Sequence, residues 1–239
     1  MKCNSTLTSS DGNSAFSIHD STLTSPDDNS AFSIHDSTLT SPDGNSAFSI
    51  HNSALILASG SPRRREILTQ LGIKFRVLVS GEEENPKCKN PLDYPRENAV
   101  AKAMAVSRKE AGAVVLGFDT LVFLDDKPLG KPKDAADALR MLQALNGRSH
   151  KVITGVAIVQ DGIILDASEE ETEVIFRENS QQDLENYVNS KDPLDKAGAY
   201  GIQTQGARLI HSIRGCYYNV VGLPVARTLG MLEKLKLKV

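Results

Sequence analysis

Apolar and polar positions follow two different periods along residues 54–237, and these periods predict alternating strands and helices. Short apolar or strictly alternating runs, typical of strands, lie at 55–58, 75–79, 113–124, 150–159, 170–177, 207–213 and 217–222. Apolar residues spaced three and four apart, typical of helices, lie at 62–71, 95–112, 134–147, 180–190 and 224–236. The alternation predicts an α/β fold. Adjacent strands over 150–177, with no helix between them, predict a mixed rather than a purely parallel sheet.

The first 52 residues differ from this pattern because they consist largely of one repeat. Three sixteen-residue units, at 4–19, 20–35 and 36–51, are nearly identical and rich in Ser, Thr, Asn and Asp. We interpret residues 1–52 as a disordered polar tail, because such units bury little apolar surface; short hairpins are the alternative. The histidines at 19, 35 and 51 recur with the repeat, which explains them better than a metal site does. Residues 53–239 are predicted to form the folded domain.

Net charge limits the kinds of molecule that the chain is expected to bind. The 239-residue chain carries a formal charge of −3, but residues 1–52 hold one Lys and six Asp, which leaves about +2 for the predicted domain. This balance argues against a nucleic-acid binder and suits a small anionic ligand.

The remaining bulk features indicate a soluble protein of the cytoplasm with no membrane partner. Cys3, Cys88 and Cys216 are far apart, so neither a disulfide framework nor metal-ligand spacing is indicated. No apolar run approaches the ~18 residues of a membrane span, and no secretory signal pattern is visible at the N-terminus.

The stretch "SGSPRRR" combines features of an anion site. A predicted strand passes through small residues into a helix whose N-cap is Ser61 and whose first residue is proline. Free N–H groups at a helix start attract anions. Arg63 and Arg64 add guanidinium donors that match phosphate oxygens, and Ser59 and Ser61 add hydroxyls. A capped helix with solvated arginines is the alternative.

Carboxylates supply the second candidate group. Asp119 interrupts the apolar run "GFDTLV", and a buried carboxylate needs a partner. It either accepts backbone hydrogen bonds or faces a cleft, where it would bind a metal or activate water; we favour the cleft. The loop "GEEEN" is by itself more typical of a solvated loop, although with Asp119 it could offer oxygen ligands to Mg²⁺ or Mn²⁺.

Two lysines and one glutamine complete the candidates. Lys102 is an isolated charge in the helix "AVAKAMAV", and Lys131 lies in the turn "LGKPKD". Both could simply extend to solvent. Gln203 lies in the Gly-rich "DKAGAYGIQTQGA", and its side chain can donate to and accept from a nucleobase edge. An ordinary Gly-rich loop is the alternative.

In order and spacing, "ASGSPRR", "ENAVAKA", "GFDTLVFL", "GKPKD", "GRSHKVITGVAI", "DKAGAYGIQ" and "YYNVVGLP" resemble the Maf family of nucleoside triphosphate pyrophosphatases over residues 54–237. The resemblance implies a mixed twisted sheet with flanking helices and a central cleft, related to the inosine-triphosphate pyrophosphatases. It also implies a divalent metal, Mg²⁺ or Mn²⁺, a homodimer, and hydrolysis of a nucleoside triphosphate to the monophosphate and pyrophosphate.

The resemblance also implies roles for individual residues. Ser59, Arg63 and Arg64 would hold the triphosphate, and Lys102 and Lys131 would contact phosphate. Asp119 would hold the metal or act as the base toward water, with Glu84 as the loop glutamate of the metal site. Arg64, Thr120 and Gln203 resemble the branch that acts on dTTP and UTP.

Two positions depart from the family pattern. Glu83 stands where Asp is usual, and Thr204 stands where Gly usually follows "YGIQ", so that bulk and a narrower φ range could change base selectivity. Two further readings compete. A partner-binding regulator of septum formation is one, and a pyrophosphatase for 7-methyl-GTP is the other.

Overall fold

The computed structural model describes residues 54–81 and 87–237. The interpretations of the repeats, of Glu83 and of Glu84 lie outside these residues. Strands are β1 Leu55–Leu57, β2 Arg76–Val77, β3 Val114–Leu124, β4 Lys127–Leu129, β5 Ser149–Gln160, β6 Ile163–Phe176 and β7 Ile210–Arg214. Helices are α1 Pro62–Gln70, α2 Tyr94–Ser107, α3 Ala135–Leu145, α4 Gln181–Asn189, α5 Tyr217–Val221 and α6 Val225–Lys234.

The described strands form one mixed sheet in the order β2-β1-β3-β5-β6-β7, with β4 also paired to β3. β1 runs parallel to β2 and to β3. The β3–β4, β3–β5, β5–β6 and β6–β7 pairs are antiparallel. The predicted α/β class and the predicted mixed sheet are therefore confirmed. No helix in the described ranges is both long enough and apolar enough to cross a membrane.

One predicted strand is wrong. Residues 217–222 were expected to be extended, but Tyr217–Val221 is the short helix α5. Its tyrosines are partly exposed, whereas Asn219 is buried and donates hydrogen bonds from its side chain to the Val152 carbonyl and the Thr172 hydroxyl. Helical geometry turns this one polar side chain into the sheet while the neighbouring tyrosines point away. The local apolar pattern does not carry that information.

Helices cover both faces of the sheet. On one face, α2 packs with Ala99, Ala103 and Val106 against a cluster that includes Ile56 and Val115. The alternate residues of the same strands face the other way. There they form two further clusters: one packs against α1 and α6, and the other packs against α3 and α4.

Helix α2 lies unusually close to the sheet, and two glycines allow this approach. A Cβ atom on Gly117 of β3 would lie 2.1 Å from the Ala99 carbonyl oxygen, and one on Gly155 of β5 would lie 2.2 Å from the Pro95 carbonyl oxygen. Any side chain at either position would push the helix away. The glycines thus set the distance between α2 and the strand that carries Asp119.

A buried aromatic cluster joins β5 and β6 to the Gly-rich loop. The rings of His150, Phe176 and Tyr200 meet edge to face at centroid distances of 4.9–5.3 Å. His150 Nε2 lies 2.7 Å from the Tyr200 hydroxyl. Because burial disfavours the charged imidazolium, it lowers the pKa of His150 to about 4.

We expect Gly155→Ala to lower the free energy of unfolding by about 3 kcal/mol or more, because the added methyl overlaps backbone that cannot move aside. Gly230→Ala is the matched control, since Gly230 lies in α6 with open space around its Cα. That change should be neutral or stabilise by up to about 1 kcal/mol. Urea unfolding of the full chain measures both, and equal stability of the two variants would contradict the close approach of α2.

We also expect stability to fall on acidification because of His150. In the unfolded chain the imidazole takes up a proton near pH 6.5, whereas the folded chain resists protonation down to about pH 4. The contribution is therefore complete above pH 6.5 and is lost as the pH falls toward 4, by about 3 kcal/mol. Urea unfolding between pH 4 and 7.5 should show a shallower loss in His150→Gln than in the exposed-site control His211→Asn. Identical profiles would contradict the assignment.

Candidate active site

The site lies where β3 lacks a neighbouring strand along one edge. Along one edge of β3, residues 114–123 pair with β5. On the other edge, β1 pairs only with residues 114–116 and β4 only with residues 122–124. Among the described strands, none pairs with residues 117–121 on that edge. Asp119 and Thr120 lie in this opening, and their side chains point to opposite faces of the sheet.

Asp119 is buried and bonded to α2. One carboxylate oxygen accepts from Lys102 Nζ at 2.6 Å, and the other accepts from Asn98 Nδ2 at 3.0 Å. Lys102 and Asn98 lie one helical turn apart, so both reach the carboxylate from the same face of α2. The expectation that Asp119 faces a cleft is met by its position in the lining. Asn98, which the sequence reasoning missed, is detectable only as a polar residue on the sheet-facing side of the helix.

The described residues offer a metal only part of a site. No group of three or more His, Cys, Asp or Glu side chains suited to a metal occurs within residues 54–81 and 87–237. Asp119 is a hard oxygen ligand in the cleft. Mg²⁺ is commonly held by one or two carboxylates together with the phosphates of its substrate. The donor chemistry of Asp119 therefore fits such an ion, and the contribution of Glu84 stays a prediction.

Arg64 links the segments that border the unpaired middle of β3. Its Nε donates to the Gly222 carbonyl at 2.8 Å, and one terminal nitrogen donates to the Phe118 carbonyl at 3.1 Å and to Ser59 Oγ at 2.9 Å. The Phe118 carbonyl belongs to the stretch of β3 that lacks a strand partner on this side. The guanidinium thus supplies to this carbonyl the hydrogen-bond donor that a neighbouring strand would otherwise provide. Its predicted contact with a triphosphate stays a prediction.

A chain of hydroxyls continues from Arg64 across the sheet. Arg64 donates to Thr120 Oγ1 at 3.1 Å, and Thr120 and Thr154 share a hydrogen bond at 2.9 Å. Because Thr154 donates its proton to the Asn219 carbonyl, Thr120 must be the donor to Thr154. Thr120 is therefore oriented by its neighbours, with its Oγ1 lone pairs toward Arg64. This order of donors fixes one polar wall of the cleft.

The start of α1 forms the adjacent wall. Ser61 occupies the predicted N-cap position, but its side chain makes no capping hydrogen bond. Instead, the Ser61 N–H donates to Ser59 Oγ at 3.3 Å. Arg63 points across the mouth of the cleft, where it donates to Asp195 at 3.2 Å. The two neighbouring arginines therefore differ: Arg64 is part of the wall, and Arg63 is held by one largely exposed carboxylate.

The Gly-rich segment contributes an ionic network that sequence reasoning missed. Lys196 is buried and directs Nζ to three oxygens: the Asp192 carbonyl at 2.5 Å, Asp192 Oδ1 at 3.0 Å and Asp195 Oδ1 at 2.6 Å. Asp192 Oδ2 accepts from Tyr187 and Thr204. Burial opposes ionisation of Asp192, but the hydrogen bonds from Thr204, Tyr187 and Lys196 together lower the pKa of its carboxyl. These residues lie within one stretch, 187–204, but no motif in that stretch indicates that they bond to one another.

The remaining predicted residues also border the cleft. Gln203 and Lys131 are both exposed and both line it. Thr204 has φ −119° and ψ −158°, an extended conformation that any residue adopts. Thr204 is therefore accommodated without backbone strain, and the effect of replacing Gly on base selectivity stays a prediction.

These walls enclose a cleft of about 700 Å³, within the usual range for small-molecule sites. Its described lining holds two acidic side chains, Asp119 and Asp195, and five basic ones, Arg63, Arg64, Lys102, Lys131 and Lys196. The excess of positive charge suits a polyanion. Of the residues predicted for the site, the structure brings together all except Glu84, which lies outside the described ranges.

Comparison with known proteins agrees with this description. Residues 54–235 match the family described as Maf-like protein, and the chain belongs to that family. A dTTP/UTP pyrophosphatase of Symbiobacterium thermophilum is 51% identical over 180 residues, which cover 75% of this chain and 92% of that protein. A dTTP/UTP pyrophosphatase of Bacillus cytotoxicus is 46% identical over 180 residues, covering 75% and 94%. A solved HAM1 protein from Coxiella burnetii aligns with a TM-score of 0.45 and 17% identity, over 77% of this chain and 100% of that one.

We expect Lys102→Met to lower the free energy of unfolding by about 3 kcal/mol, because it leaves the buried Asp119 carboxylate without its cation. Adding Asp119→Asn to Lys102→Met should restore part of that loss, since the remaining amide carries no charge. Urea unfolding of the two single variants and the double variant measures the coupling. Losses that simply add would contradict a coupled buried pair.

Proposed function

We propose that the protein is a nucleoside triphosphate pyrophosphatase that cleaves dTTP and UTP between the α- and β-phosphates. The observation that carries this proposal is one cleft in which Asp119, paired with Lys102, lies beside the start of α1 and an excess of basic side chains. The relatives from Symbiobacterium thermophilum and Bacillus cytotoxicus are dTTP/UTP pyrophosphatases, which supports the same reaction. A triphosphate is the ligand class whose charge this cleft best matches.

The phosphates would lie against the start of α1. Free backbone N–H groups and the positive end of the helix dipole favour anions there. Arg63 can turn from Asp195 to a phosphate, because that ion pair is largely exposed and therefore weak. Lys102 and Lys131 would reach the same phosphates from α2 and from the turn after β4. The hydroxyls of Ser59 and Ser61 complete this wall.

Hydrolysis then needs one water and one proton acceptor. Water attacks the α-phosphorus, the new P–O bond forms, and the bond from the α-phosphorus to the bridging oxygen breaks. Pyrophosphate leaves with the bonding electrons, and Asp119 accepts the proton of the attacking water. Basic side chains offset the charge that repels the nucleophile and hold the phosphorus in line. Asn98 keeps the carboxylate oriented throughout.

A divalent cation belongs to the proposal, with Asp119 and Glu84 as its protein ligands. Bound there with the substrate phosphates, Mg²⁺ or Mn²⁺ would neutralise charge on the leaving pyrophosphate.

The nucleobase would lie against Gln203, which lines the cleft. Its amide can both donate to and accept from the edge of uracil or thymine. Thr120, oriented through Arg64 and Thr154, also lines the cleft. We further propose a homodimer in the cytoplasm and a tail, residues 1–52, that is dispensable for turnover. These last points rest on the family resemblance and the composition.

We expect the full chain to release pyrophosphate from dTTP and UTP with Mg²⁺ or Mn²⁺, and chelation to abolish this release. Asp119→Asn should lower kcat at least 100-fold, because the amide neither accepts the proton nor holds a cation well. Asp126→Asn is the matched control. Asp126 lies in the β3–β4 turn at φ 57°, which Asn tolerates, and outside the cleft lining.

The readout is pyrophosphate release from a panel of dTTP, UTP, CTP, ITP and 7-methyl-GTP. Normal turnover in Asp119→Asn would refute its role, and a preference for 7-methyl-GTP would refute the proposed substrates. The chain shortened to residues 53–239 should match the full chain in this assay if the tail is dispensable.

A further inference from the structure

Hydrogen bonds hold the loop on both sides of Gln203, whereas they do not hold the Gln203 side chain. Gln203 makes no side-chain hydrogen bond with residues 54–81 or 87–237, and it lines the cleft. On one side of it, the Gly201 N–H donates to the Tyr187 hydroxyl at 3.0 Å. On the other side, the Thr204 hydroxyl donates to Asp192 at 2.5 Å. The Gln203 amide is thus free of bonds to the described residues, while hydrogen bonds hold the backbone on either side of it.

Both of these hydrogen-bonded connections lead to the same oxygen of the Asp192 carboxylate. Asp192 Oδ2 accepts from the Tyr187 hydroxyl at 2.7 Å and from the Thr204 hydroxyl. The Thr204 hydroxyl has one proton and a second acceptor nearby, the Gly201 carbonyl at 3.1 Å. The shorter distance and the negative charge of Asp192 favour the carboxylate as acceptor. We call Tyr187, Asp192 and Thr204 the clasp.

The clasp is itself anchored in the protein. Tyr187 belongs to α4 and is buried against the cluster that includes Tyr200. Lys196 compensates the charge of Asp192 through Oδ1, the oxygen that the clasp does not use. Lys196 and Arg63 in turn share Asp195. The contacts that lead to Arg63 and α1 thus start from Oδ1 of Asp192, whereas Thr204 binds Oδ2.

We propose that Thr204 is a positioning residue for nucleobase recognition: its hydroxyl holds the Gln203 loop against Asp192. The role rests on the proposed function for its substrate and on the described contacts for its geometry. In the proposed function, Gln203 contacts only the base, which takes no part in breaking the bond to the α-phosphorus. The hold on the loop therefore contributes equally to the bound substrate and to the transition state, so its loss raises KM and leaves kcat unchanged.

Thr204→Val tests this directly, because it removes the hydroxyl, keeps the branched shape and suits the extended backbone. Thr204→Ser, which keeps the hydroxyl, is the matched rescue variant. We expect KM for UTP to rise about tenfold in Thr204→Val, as for loss of a hydrogen bond to a charged acceptor. Its kcat, and its inhibition by inorganic tripolyphosphate, which has no base, should stay within about twofold. Thr204→Ser should match the unaltered chain.

Other kinetic outcomes overturn the proposal. An unchanged KM in Thr204→Val means that the hydroxyl does not position the loop. A parallel loss of kcat and of tripolyphosphate inhibition means that the substitution damages the phosphate end or the fold.

Hydrogen exchange of the unliganded full chain separates failure of this proposal from failure of the proposed function. In Thr204→Val, and not in Thr204→Ser, the Gly201 amide should exchange about tenfold faster. If the unaltered chain hydrolyses no nucleotide, the proposed substrate is wrong, and exchange alone then decides whether the clasp holds the loop. Equal exchange in all three proteins overturns it.

Discussion

The site depends on one constraint in the sheet: β3 is longer than the strands available along one of its edges. β1 covers its first residues and β4 covers its last, so the middle of β3 is left open between them. An exposed strand edge normally invites another chain. Here Arg64 closes part of it by donating to the Phe118 carbonyl, and the rest of the opening is the cleft.

The same constraint explains why Asp119 can be both buried and accessible to a ligand. On the α2 face its carboxylate is bonded to Lys102 and Asn98, which compensate its charge and hold its orientation. Along the open edge none of the strands within residues 54–81 and 87–237 covers it. Gly117 of β3 and Gly155 of β5 let α2 come close enough for those bonds to form. Charge compensation and access at Asp119 therefore depend on the packing of α2 on β3 and β5.

Two polar networks line the cleft, and each contains one of the adjacent arginines, Arg63 or Arg64. Arg64 joins the hydroxyls of Thr120 and Thr154 and belongs to the sheet. Arg63 joins Asp195, Lys196 and the clasp and belongs to the mouth of the cleft. An exposed ion pair such as that of Arg63 exchanges partners readily, whereas the Arg64 guanidinium, with four hydrogen bonds to described residues alone, does not. Arg64 is thus a rigidly held cation, and Arg63 is a cation that can change partners.

Much of the architecture could be predicted from local pattern. Periods of hydrophobicity placed most of the helices and strands, because burial of one face dictates spacing. They missed β4 and the first half of β6. The polar interruption of an apolar strand singled out Asp119, and the family motifs named most of the cleft lining. The short helix α5 was misread as a strand, because Tyr217–Val221 is apolar enough for either and only Asn219 distinguishes them in three dimensions.

By itself, the sequence determined the fold class, the mixed sheet and the family. Tertiary structure alone decided which donors reach which acceptors. Lys102 could have extended to solvent, but the approach of α2 pairs it with Asp119. The roles of Arg63 and Arg64 follow from contacts with segments more than 100 residues away in sequence. The convergence of Tyr187 and Thr204 on Asp192 follows from the path of the backbone between residues 187 and 204. Periodicity reports which side of an element is buried, whereas hydrogen-bond partners depend on distances between elements that only packing sets.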